Sequence, residues 1–269
     1  MIASETAAQR TVHCLDAVGW LRASGVIEQA SFVASLPDIS EFGGLSLDGW
    51  REWFVSTAQL IFRCTPDNGV TVFYQSDIKL EGTWVDKGYL CQRAAEALGS
   101  ALLWHKMVCR APPGQATFGR PGYSHIMCFS KGIRPLLGAS TADILPALGD
   151  RAWNRGMGLE ACVMIAKFIS QETPSKMVVN PFCGKGSMLA AANAFGLSAM
   201  GIERSQKRAE AAGRLILNTE KLLWEDGNSA DSSAAVEEMA IKEKASQGAT
   251  LEAHSQSLET PDGQDDRQE

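Results

Sequence analysis

The sequence predicts an α/β domain in which helices cover both faces of a largely parallel β-sheet. Short apolar runs with the length of buried strands alternate along the chain with longer segments whose apolar residues recur at helical spacing. Strands that are separated in this way by helices pair in parallel and are buried on both faces. The chain has 269 residues, 45% of them hydrophobic, which is enough for one sizeable core.

Strands and helices are predicted in alternation along the first 223 residues. The predicted strands are apolar or β-branched runs, at 11–14, 30–35, 70–74, 101–107, 124–130, 177–179 and 198–202. The predicted helices have helical apolar spacing or end at a helix breaker, at 17–23, 50–64, 87–98, 158–169, 187–195 and 205–223. The strands at 101–107 and 124–130 flank a Pro- and Gly-rich loop, 110–122, and predict an antiparallel hairpin.

Composition argues against several classes of protein. No apolar run reaches the roughly eighteen residues that a membrane-spanning helix needs, so we expect no membrane partner. The first ten residues lack the pattern of a secretory signal. The seven cysteines form no Cys-x-x-Cys pair and there are four histidines, so we expect no metal site. Scattered thiols suit a reducing compartment, and we expect the cytoplasm, with the nucleus as the alternative.

The net charge of −6 is unevenly distributed. Residues 225–269 contain twelve acidic and three basic residues, a net charge of −9, so residues 1–224 carry +3. The acidic segment has no aromatic residue and is rich in Ser, Ala, Glu and Gln. It therefore has too little apolar surface to offset the conformational entropy that ordering would cost. We predict a mildly basic folded domain over 1–226 and an acidic disordered tail over 227–269.

The segment 176–203 contains a strand, a glycine turn, a helix of small residues and a second strand. The turn, residues 180–187, reads Asn-Pro-Phe-Cys-Gly-Lys-Gly-Ser. Gly184 and Gly186 let the backbone approach a ligand at the carboxyl end of a strand, where α/β sheets bind ligands. The second strand ends in Gly-Ile-Glu, and an acidic residue about twenty positions after such a turn, here Glu203, commonly binds ribose hydroxyls. The glycines alone also fit a tight strand-to-helix turn with no ligand.

Two familiar nucleotide-binding motifs are absent from this turn. The nicotinamide fingerprint needs a third glycine where this chain has Leu189, and the P-loop pattern is not present. The turn instead resembles Asp-Pro-Phe-x-Gly-x-Gly-Thr, followed by Gly-Ile-Glu, of class I S-adenosylmethionine-dependent methyltransferases. Asn180 and Ser187 replace the family's Asp and Thr and keep hydrogen-bonding capacity, although neutral Asn180 removes a countercharge for the cationic cofactor.

The late position of the turn resembles the permuted, beta-class amino-methyltransferases that modify N4 of cytosine or N6 of adenine in DNA. Segments that look like that family's first strand, catalytic turn, Trp-x-Lys and hairpin follow in the family's order, at 13–21, 32–38, 103–106 and 128–132. The resemblance covers about 11–223 and implies a Rossmann-like class I methyltransferase fold with a permuted sheet that binds S-adenosylmethionine. The cofactor-binding residues that it implies are Asp16, at the adenine amino group, Asn180, Phe182, Cys183, Gly184, Gly186, Ser187 and Glu203.

The family's catalytic turn, Asp/Asn/Ser-Pro-Pro-Tyr/Trp/Phe, corresponds here to Ser35-Leu36-Pro37-Asp38. In the family, its first side-chain oxygen and a backbone carbonyl accept the hydrogens of the base amine, and its aromatic residue stacks on the extruded base. Ser35 can supply the oxygen and Pro37 keeps the turn, so the candidate catalytic residues are Ser35, Pro37 and Asp38. Asp38 replaces the stacking aromatic; a carboxylate cannot stack, but it can act as a general base or accept from an amine.

The role of Asp38 stays open at this point. The turn could serve a different nucleophile, or it could serve the usual base with stacking from elsewhere, the candidates being Phe42, Trp84 and Tyr123. The fold could also have lost catalysis. Asp38 itself could be a helix N-cap or Asx-turn residue.

Two loops beside the predicted crevice carry candidate substrate-binding residues. The segment 74–87 follows a strand on the same edge as Ser35, and the loop 105–125 interleaves cations with aromatic residues, which suits phosphate contacts and base stacking. The alternatives are solvated loops, with Asp86 capping the next helix. We interpret the cations of helix 205–223 as a solvated face. Trp20, Trp50 and Trp53 are interpreted as core residues. The candidate substrate-binding residues are Asp77, Trp84, Lys87, Lys106, Arg110, Arg120 and Tyr123.

We therefore expect an S-adenosylmethionine-dependent methyltransferase that acts on a nucleobase in nucleic acid, RNA rather than DNA. The preference for RNA rests on the lack of a separate target-recognition domain, because loop 110–122 is too short to read several base pairs. One alternative is a non-catalytic partner subunit that keeps the fold. The other is a methyltransferase for proteins or small molecules, which a neutral or acidic wall opposite Ser35 would favour. The target base, the methylated atom and the oligomeric state do not follow from the sequence.

Overall fold

The computed structural model describes residues 8–135 and 141–227. In chain order the strands are β1 (Arg10–His13), β2 (Ala30–Ala34), β3 (Thr71–Gln75), β4 (Ile78–Leu80), β5 (Thr83–Val85), β6 (Ala101–Cys109), β7 (Tyr123–Ser130), β8 (Ile144–Leu145), β9 (Met177–Asn180), β10 (Ser198–Ile202), β11 (Leu215–Asn218) and β12 (Leu223–Asp226). The α-helices are α1 (Ala17–Ala23), α2 (Leu47–Cys64), α3 (Lys87–Glu96), α4 (Leu159–Glu172), α5 (Ser187–Ala194) and α6 (Gln206–Arg214). A 3-10 helix spans Ile39–Glu41.

Eight strands form the main sheet, in the order β1-β10-β9-β2-β3-β7-β6-β8. The first five strands in this order, β1, β10, β9, β2 and β3, are parallel to one another. Strand β7 is antiparallel to both β3 and β6. The predicted sheet, largely parallel and with an antiparallel hairpin near one end, is confirmed. The consecutive strands β9 and β10 follow one another in one direction across the sheet, and β2 and β3 follow one another in the other direction. The topological switch point therefore lies between β9 and β2, where α/β sheets form their ligand crevice.

Apolar cores cover both faces of the sheet. One core packs α4 and α5 against the sheet, through residues such as Ile165 and Leu189, and the other packs α2 and α3, through residues such as Trp50 and Phe54. The N-terminal ends of α1, α2 and α3 are capped by the side chains of Asp16, Ser46 and Asp86. Oδ2 of Asp16 accepts from the backbone N–H of Gly19 at 2.6 Å, which satisfies a free donor in the first turn of α1.

The predicted bounds of α1 and β10 agree with the structure to the residue, and most other elements are displaced by one to three residues. The predicted helix 205–223 is wrong in its second half, which forms the hairpin β11–β12. Leu217 is buried while Ile216 is exposed, which is the alternation of a strand. Oδ1 of Asn218 accepts from the backbone N–H groups of Glu220 and Lys221 at 3.1 and 2.9 Å and closes the turn.

The acidic tail that the sequence predicts to be disordered lies, from residue 228 onward, outside the described residues. Within the described ranges, none of the helices has the length and apolar character that crossing a lipid bilayer requires.

Candidate functional site

A cavity of about 480 Å³ lies along the carboxyl edge of the sheet, at the switch point between β9 and β2. It is lined by the turn that follows β9, by the end of β10, by the start of α1 after β1 and by the turn that follows β2. The predicted cofactor turn and the predicted catalytic turn therefore face one space. The predicted site residues that line it are Asp16, Ser35, Pro37, Asp38, Lys87, Arg110, Arg120, Asn180, Phe182, Cys183, Gly184, Ser187 and Glu203.

The turn after β9 is held by its own side chain and by the next strand. Oδ1 of the buried Asn180 accepts from the backbone N–H of Phe182 at 3.1 Å, and the N–H of Cys183 donates to the carbonyl of Ile202 at 3.1 Å. Burial, and then the charge of Glu203, raise the pKa of the Cys183 thiol to about 12. The thiol therefore stays protonated at neutral pH and does not compete as a nucleophile.

Gly184 and Gly186 both have positive φ angles, of 56° and 86°, but they face different neighbours. A Cβ on Gly184 would lie 2.9 Å from Cζ2 of Trp153, which covers the cavity side of the turn. A Cβ on Gly186 would lie 2.7 Å from Cα of Ala212 in α6. Gly186 does not line the cavity, so its lack of a side chain serves helix packing, whereas Gly184 makes room for the ring of Trp153, which lines the cavity.

Two polar groups in this part of the cavity fit a nucleoside cofactor. The hydroxyl of Ser187 is buried, lines the cavity and has no hydrogen-bond partner among the described residues, and such a group normally finds a partner, here one that a ligand can provide. Among the described residues, the hydrogen bonds to the Glu203 carboxylate, from the N–H of Ser205 and from Arg208, all go to its Oε1. Oε2 of Glu203 therefore remains an acceptor for a hydroxyl pair such as that of a ribose.

Three aromatic rings run from the cofactor turn towards the catalytic turn. The rings of Trp53 and Phe182 meet edge to face with centroids 6.4 Å apart, and the centroid of Phe42 is 4.6 Å from that of Trp53. All three line the cavity. Planar rings of this kind present faces on which a purine or pyrimidine can stack.

The turn after β2 places Ser35 and Asp38 in the cavity. The hydroxyl of Ser35 makes no hydrogen bond to the described part of the chain, and the carbonyl of Pro37 accepts from Nε1 of Trp50 at 3.2 Å. The buried carboxylate of Asp38 contacts two cations: its Oδ1 accepts from the ammonium of Lys87 and its Oδ2 from the guanidinium of Arg120. Asp38 also precedes the 3-10 helix, so it occupies an N-cap position while its side chain binds cations.

The ammonium of Lys87 is buried at the inner end of this ion pair, with 3% of the side chain exposed. Burial, followed by the charge of Arg120, lowers the pKa of Lys87 to about 7. The Asp38 carboxylate acts in the opposite direction, because it stabilises the protonated ammonium. Lys87 therefore titrates near neutral pH, and contact with Asp38 favours its protonated form.

A buried hydrogen-bond network positions Lys87. Oδ1 of Asp77 accepts from the backbone N–H of Lys87 at 2.8 Å, and Oδ2 accepts from Nε1 of Trp84 at 3.1 Å and lies 3.0 Å from Nε2 of His125. Nδ1 of His125 in turn lies 2.9 Å from Nε2 of His105. The network fixes the first residue of α3, and with it the place where Lys87 meets Asp38.

Asp77, Asp86 and His125 also have ligand atoms within 4.8 Å of one another, a spacing that could hold a metal ion. Both Asp77 oxygens, however, already accept from protein donors. Oδ1 of Asp86 caps α3 by accepting from the N–H of Tyr89 at 2.8 Å. These three side chains are thus committed to the protein's own hydrogen bonds.

Positive charge is concentrated on the wall of the cavity that surrounds Asp38. Seven cationic and four acidic side chains among the described residues line the cavity, an excess of three positive charges. Burial lowers the pKa of Arg110; Tyr74 opposes this, and the charges of Arg120 and Arg151 lower it further, because like charges lie close together here. The five cations near the catalytic turn, called the basic wall below, are Lys87, Arg110, Arg120, Arg151 and Arg155.

Four predicted substrate-binding residues do not line the cavity, namely Asp77, Trp84, Lys106 and Tyr123. Asp77 and Trp84 belong to the network behind Lys87, and the ring of Tyr123 packs edge to face against His125. The ammonium of Lys106 donates to Oδ1 of Asp143 at 3.0 Å and to two backbone carbonyls. Of the three candidate stacking residues, only Phe42 faces the cavity.

Sequence reasoning missed several residues that line the cavity. Trp53, interpreted as core, packs against the core but also lines the cavity. Arg208, interpreted as part of a solvated face, binds Glu203, and its guanidinium carbon lies 5.9 Å from the centroid of Trp153. Gln75 ends β3 beside the catalytic turn, and its buried amide nitrogen has no partner in the described ranges. The signal that could have identified Gln75 is its position, a polar residue at the carboxyl end of an apolar strand.

No protein-family model matches this sequence, and no curated protein matches it either. Solved structures with a similar fold were found. One is a protein from Thermus thermophilus, described as a candidate DNA modification methylase and solved with S-adenosyl-L-methionine, with a TM-score of 0.59 and 20% identity over 80% of this chain and 95% of that one. PvuII DNA methyltransferase, described as cytosine-N4-specific, has a TM-score of 0.57 and 17% identity over 81% and 91%. The M1.HpyAVI complex with SAM has a TM-score of 0.52 and 11% identity over 76% and 98%.

These likenesses are likenesses of fold. The chain shares the fold of DNA modification methylases, a class I methyltransferase fold, over about four fifths of its length. The resemblance that the order of its motifs indicates, and the fold class inferred from it, are thereby confirmed.

Proposed function

We propose that this chain is an S-adenosylmethionine-dependent methyltransferase that methylates an exocyclic amino group of a nucleobase in nucleic acid. The observation that carries the proposal is the shared cavity, which joins the turn of Gly184 and Ser187 and the acid Glu203 to the catalytic turn of Ser35 and Asp38. Two of the structures with a similar fold were solved with this cofactor, which supports its choice.

The residues placed to hold the cofactor lie at the ends of three neighbouring strands. Glu203 would bind the ribose hydroxyls through Oε2, Asp16 would meet the adenine amino group, and Phe182 would contact the adenine ring. Asn180, Cys183, Gly184 and the unpartnered hydroxyl of Ser187 would surround the methionine part. When bound, the cofactor would supply an electrophilic methyl group from its sulfonium.

The catalytic turn would orient the amine. Its lone pair is conjugated into the base, so acceptors for the amine hydrogens are needed to direct it at the methyl group. Ser35 and Asp38 provide such acceptors. The methyl group would pass from the sulfonium of the bound cofactor to the amine nitrogen, with the electron pair of the broken carbon–sulfur bond left on sulfur, and the Asp38 carboxylate would accept the proton that the nitrogen loses.

The excess positive charge of the basic wall favours nucleic acid over the alternative substrates. A cavity that receives a neutral or cationic protein side chain would not need three uncompensated positive charges, whereas a phosphodiester attracts them. The sequence-based preference for RNA has no support from the comparisons. A structure matched over 95% of its own length is described as a candidate DNA modification methylase, so DNA is the first substrate to test, with RNA as the alternative.

One observation favours a non-catalytic partner subunit as a second candidate function. Asp38 replaces the stacking aromatic of the family's catalytic turn, and both its oxygens are bound by cations. A subunit of this kind would not depend on the cofactor, so cofactor binding separates the two candidates.

Titration calorimetry with S-adenosylmethionine tests the central claim. We expect the intact chain to bind, Glu203→Ala to weaken binding by roughly tenfold or more because a charged acceptor is lost, and Gly184→Asp to abolish it. Glu210→Ala is the matched control, since Glu210 is an exposed acid of α6 that bonds to Gln206 outside the cavity. No binding by the intact chain, or equal binding by Glu203→Ala, would contradict the proposal.

Transfer of tritiated methyl groups identifies the acceptor. Amplified DNA that carries no methylation and transcribed RNA are incubated with the chain and labelled cofactor, then digested to nucleosides and analysed by mass spectrometry. We expect an N-methylated nucleoside from DNA, and the same nucleoside should be missing from a strain in which the gene is deleted. Label in RNA alone would restore the original preference; label in neither would favour a protein or small-molecule substrate.

A further inference from the structure

We propose that Arg120 is a specificity-determining residue that couples recognition of a substrate phosphate to release of the Asp38 carboxylate. In the structure the carboxylate is engaged by Arg120, and an incoming phosphodiester would draw the guanidinium away. The inference rests on the proposed function and adds to it that the substrate must carry an anionic group next to the methylated base.

The two cations on Asp38 are held very differently. Lys87 is the first residue of α3, its side chain is 3% exposed, and its backbone is fixed by Asp77. Arg120 belongs to the loop between β6 and β7, follows Gly119 with a φ of +75°, and has 48% of its side chain exposed. Lys87 is therefore the permanent partner of Asp38, and Arg120 is the partner that a ligand can reach and displace.

Arg120 also lies where a phosphate would be attracted. Arg110 and Arg151, close enough for their charges to act on one another, line the same wall. Guanidinium groups bind phosphate oxygens in a bidentate manner, so a phosphodiester offers Arg120 a partner of the same charge as Asp38 and of matching geometry. The neighbouring guanidinium groups stabilise the phosphate further, which tips the exchange away from Asp38.

The exchange would change what Asp38 can do. A carboxylate that shares its charge with two cations is a weaker proton acceptor than one that shares it with a single cation. With Arg120 on the phosphate, Oδ2 of Asp38 is free to accept a hydrogen of the amine. After the nitrogen–carbon bond has formed and the carbon–sulfur bond has broken, that proton passes to Oδ2. An uncharged substrate would leave Asp38 engaged.

The test uses two pools of random-sequence, single-stranded DNA twelve nucleotides long, one with ordinary phosphodiester linkages and one with uncharged methylphosphonate linkages. For the intact chain we expect methyl transfer to the phosphodiester pool to be at least about tenfold faster, since a charge-assisted contact is lost with the uncharged pool. For Arg120→Ala we expect the rate on the uncharged pool to rise at least about threefold above that of the intact chain, and the rate on the charged pool to fall.

Two further measurements separate coupling from a simple loss of affinity. The slope of binding against salt concentration for the charged pool should fall by about 0.7 in Arg120→Ala, because one phosphate contact of a single strand is lost. Arg120→Lys keeps a charge without the bidentate geometry and should give rates between those of the intact chain and Arg120→Ala. Arg51→Ala, which breaks a surface pair with Asp48, is the matched control and should behave as the intact chain does.

The outcomes distinguish this inference from the proposed function. If the intact chain methylates the charged pool but Arg120→Ala loses rate on both pools by the same factor, Arg120 contributes affinity alone and the coupling is wrong. An unchanged ratio of the two rates in Arg120→Ala also overturns it. If the intact chain methylates neither pool although it binds the cofactor, the nucleic-acid function itself fails, and the inference fails with it.

Discussion

Nε2 of His125 lies 3.0 Å from Oδ2 of Asp77, and both side chains are buried behind the catalytic turn. The other oxygen of Asp77 accepts from the backbone N–H of Lys87, so a pair outside the cavity sets the position of a cation inside it. Burial raises the pKa of Asp77, but hydrogen bonds from His125, Lys87 and Trp84 outweigh burial and lower the pKa below the ordinary value of 3.8.

The lowered pKa of Asp77 predicts acid-dependent stability. A carboxyl group with a depressed pKa in the folded state contributes stability that is fully present above the unfolded value and is lost as the pH falls through the folded value. Asp77→Asn should therefore lower the free energy of unfolding by about 2 to 3 kcal/mol at pH 7, because buried donors lose a charged acceptor. Urea unfolding should show that the difference in free energy of unfolding between the intact chain and Asp77→Asn shrinks as the pH falls below 3.8. A difference that grows in acid would contradict the lowered pKa of Asp77.

Substituting the two glycines of the cofactor turn should give different results. Gly184→Ala should cost about 1 to 2 kcal/mol of stability from its positive φ and should weaken cofactor binding, because Trp153 must shift. Gly186→Ala meets the backbone of α6 at 2.7 Å and should cost about 3 kcal/mol or more. Thermal unfolding and titration calorimetry measure the two effects. Equal loss of stability in both variants would show that the packing difference does not matter.

Ser187→Ala should lower cofactor affinity without lowering stability. Its hydroxyl has no partner in the described part of the chain, so its removal should leave stability unchanged or raise it by up to about 1 kcal/mol. Affinity for S-adenosylmethionine should fall about fivefold, the value of one hydrogen bond. Ser31→Ala is the contrasting variant, because Ser31 accepts from the backbone N–H of Val70 at 3.1 Å and pairs with Ser175. Ser31→Ala should lose stability and keep affinity.

We expect one aromatic ring of the cavity to contribute to cofactor binding and another to contribute to substrate binding. Phe182 lies in the cofactor turn and Phe42 beside the catalytic turn. Phe182→Ala should weaken cofactor binding, whereas Phe42→Ala should weaken binding of single-stranded DNA by roughly fivefold to a hundredfold, the contribution of stacking one base. Calorimetry and fluorescence anisotropy measure the two affinities. Tyr89→Ala removes an exposed aromatic outside the cavity and is the control.

A large part of the candidate site follows from the sequence. Strand-to-turn boundaries such as Asn180 and Ser35 could be located because polar residues end apolar runs, and in a parallel sheet such ends meet at one edge. Two of the residues that were missed, Trp53 and Arg208, lie on helices, where spacing shows that one face is buried but not which neighbour covers it. The predicted helix 205–223 failed for a related reason, since its apolar residues satisfy a strand once β12 is available to pair.

By itself, the sequence determined the alternation of strands and helices, the late place of the glycine turn, and therefore the permuted fold. These are local or sequential properties, set by apolar periodicity, turn residues and the order of segments. Only the tertiary structure decided what Asp38 contacts and what each glycine is for. Lys87 and Arg120 lie 49 and 82 residues from Asp38 along the chain, and no local pattern relates them, because contacts over such separations are created when the sheet brings distant strand ends together.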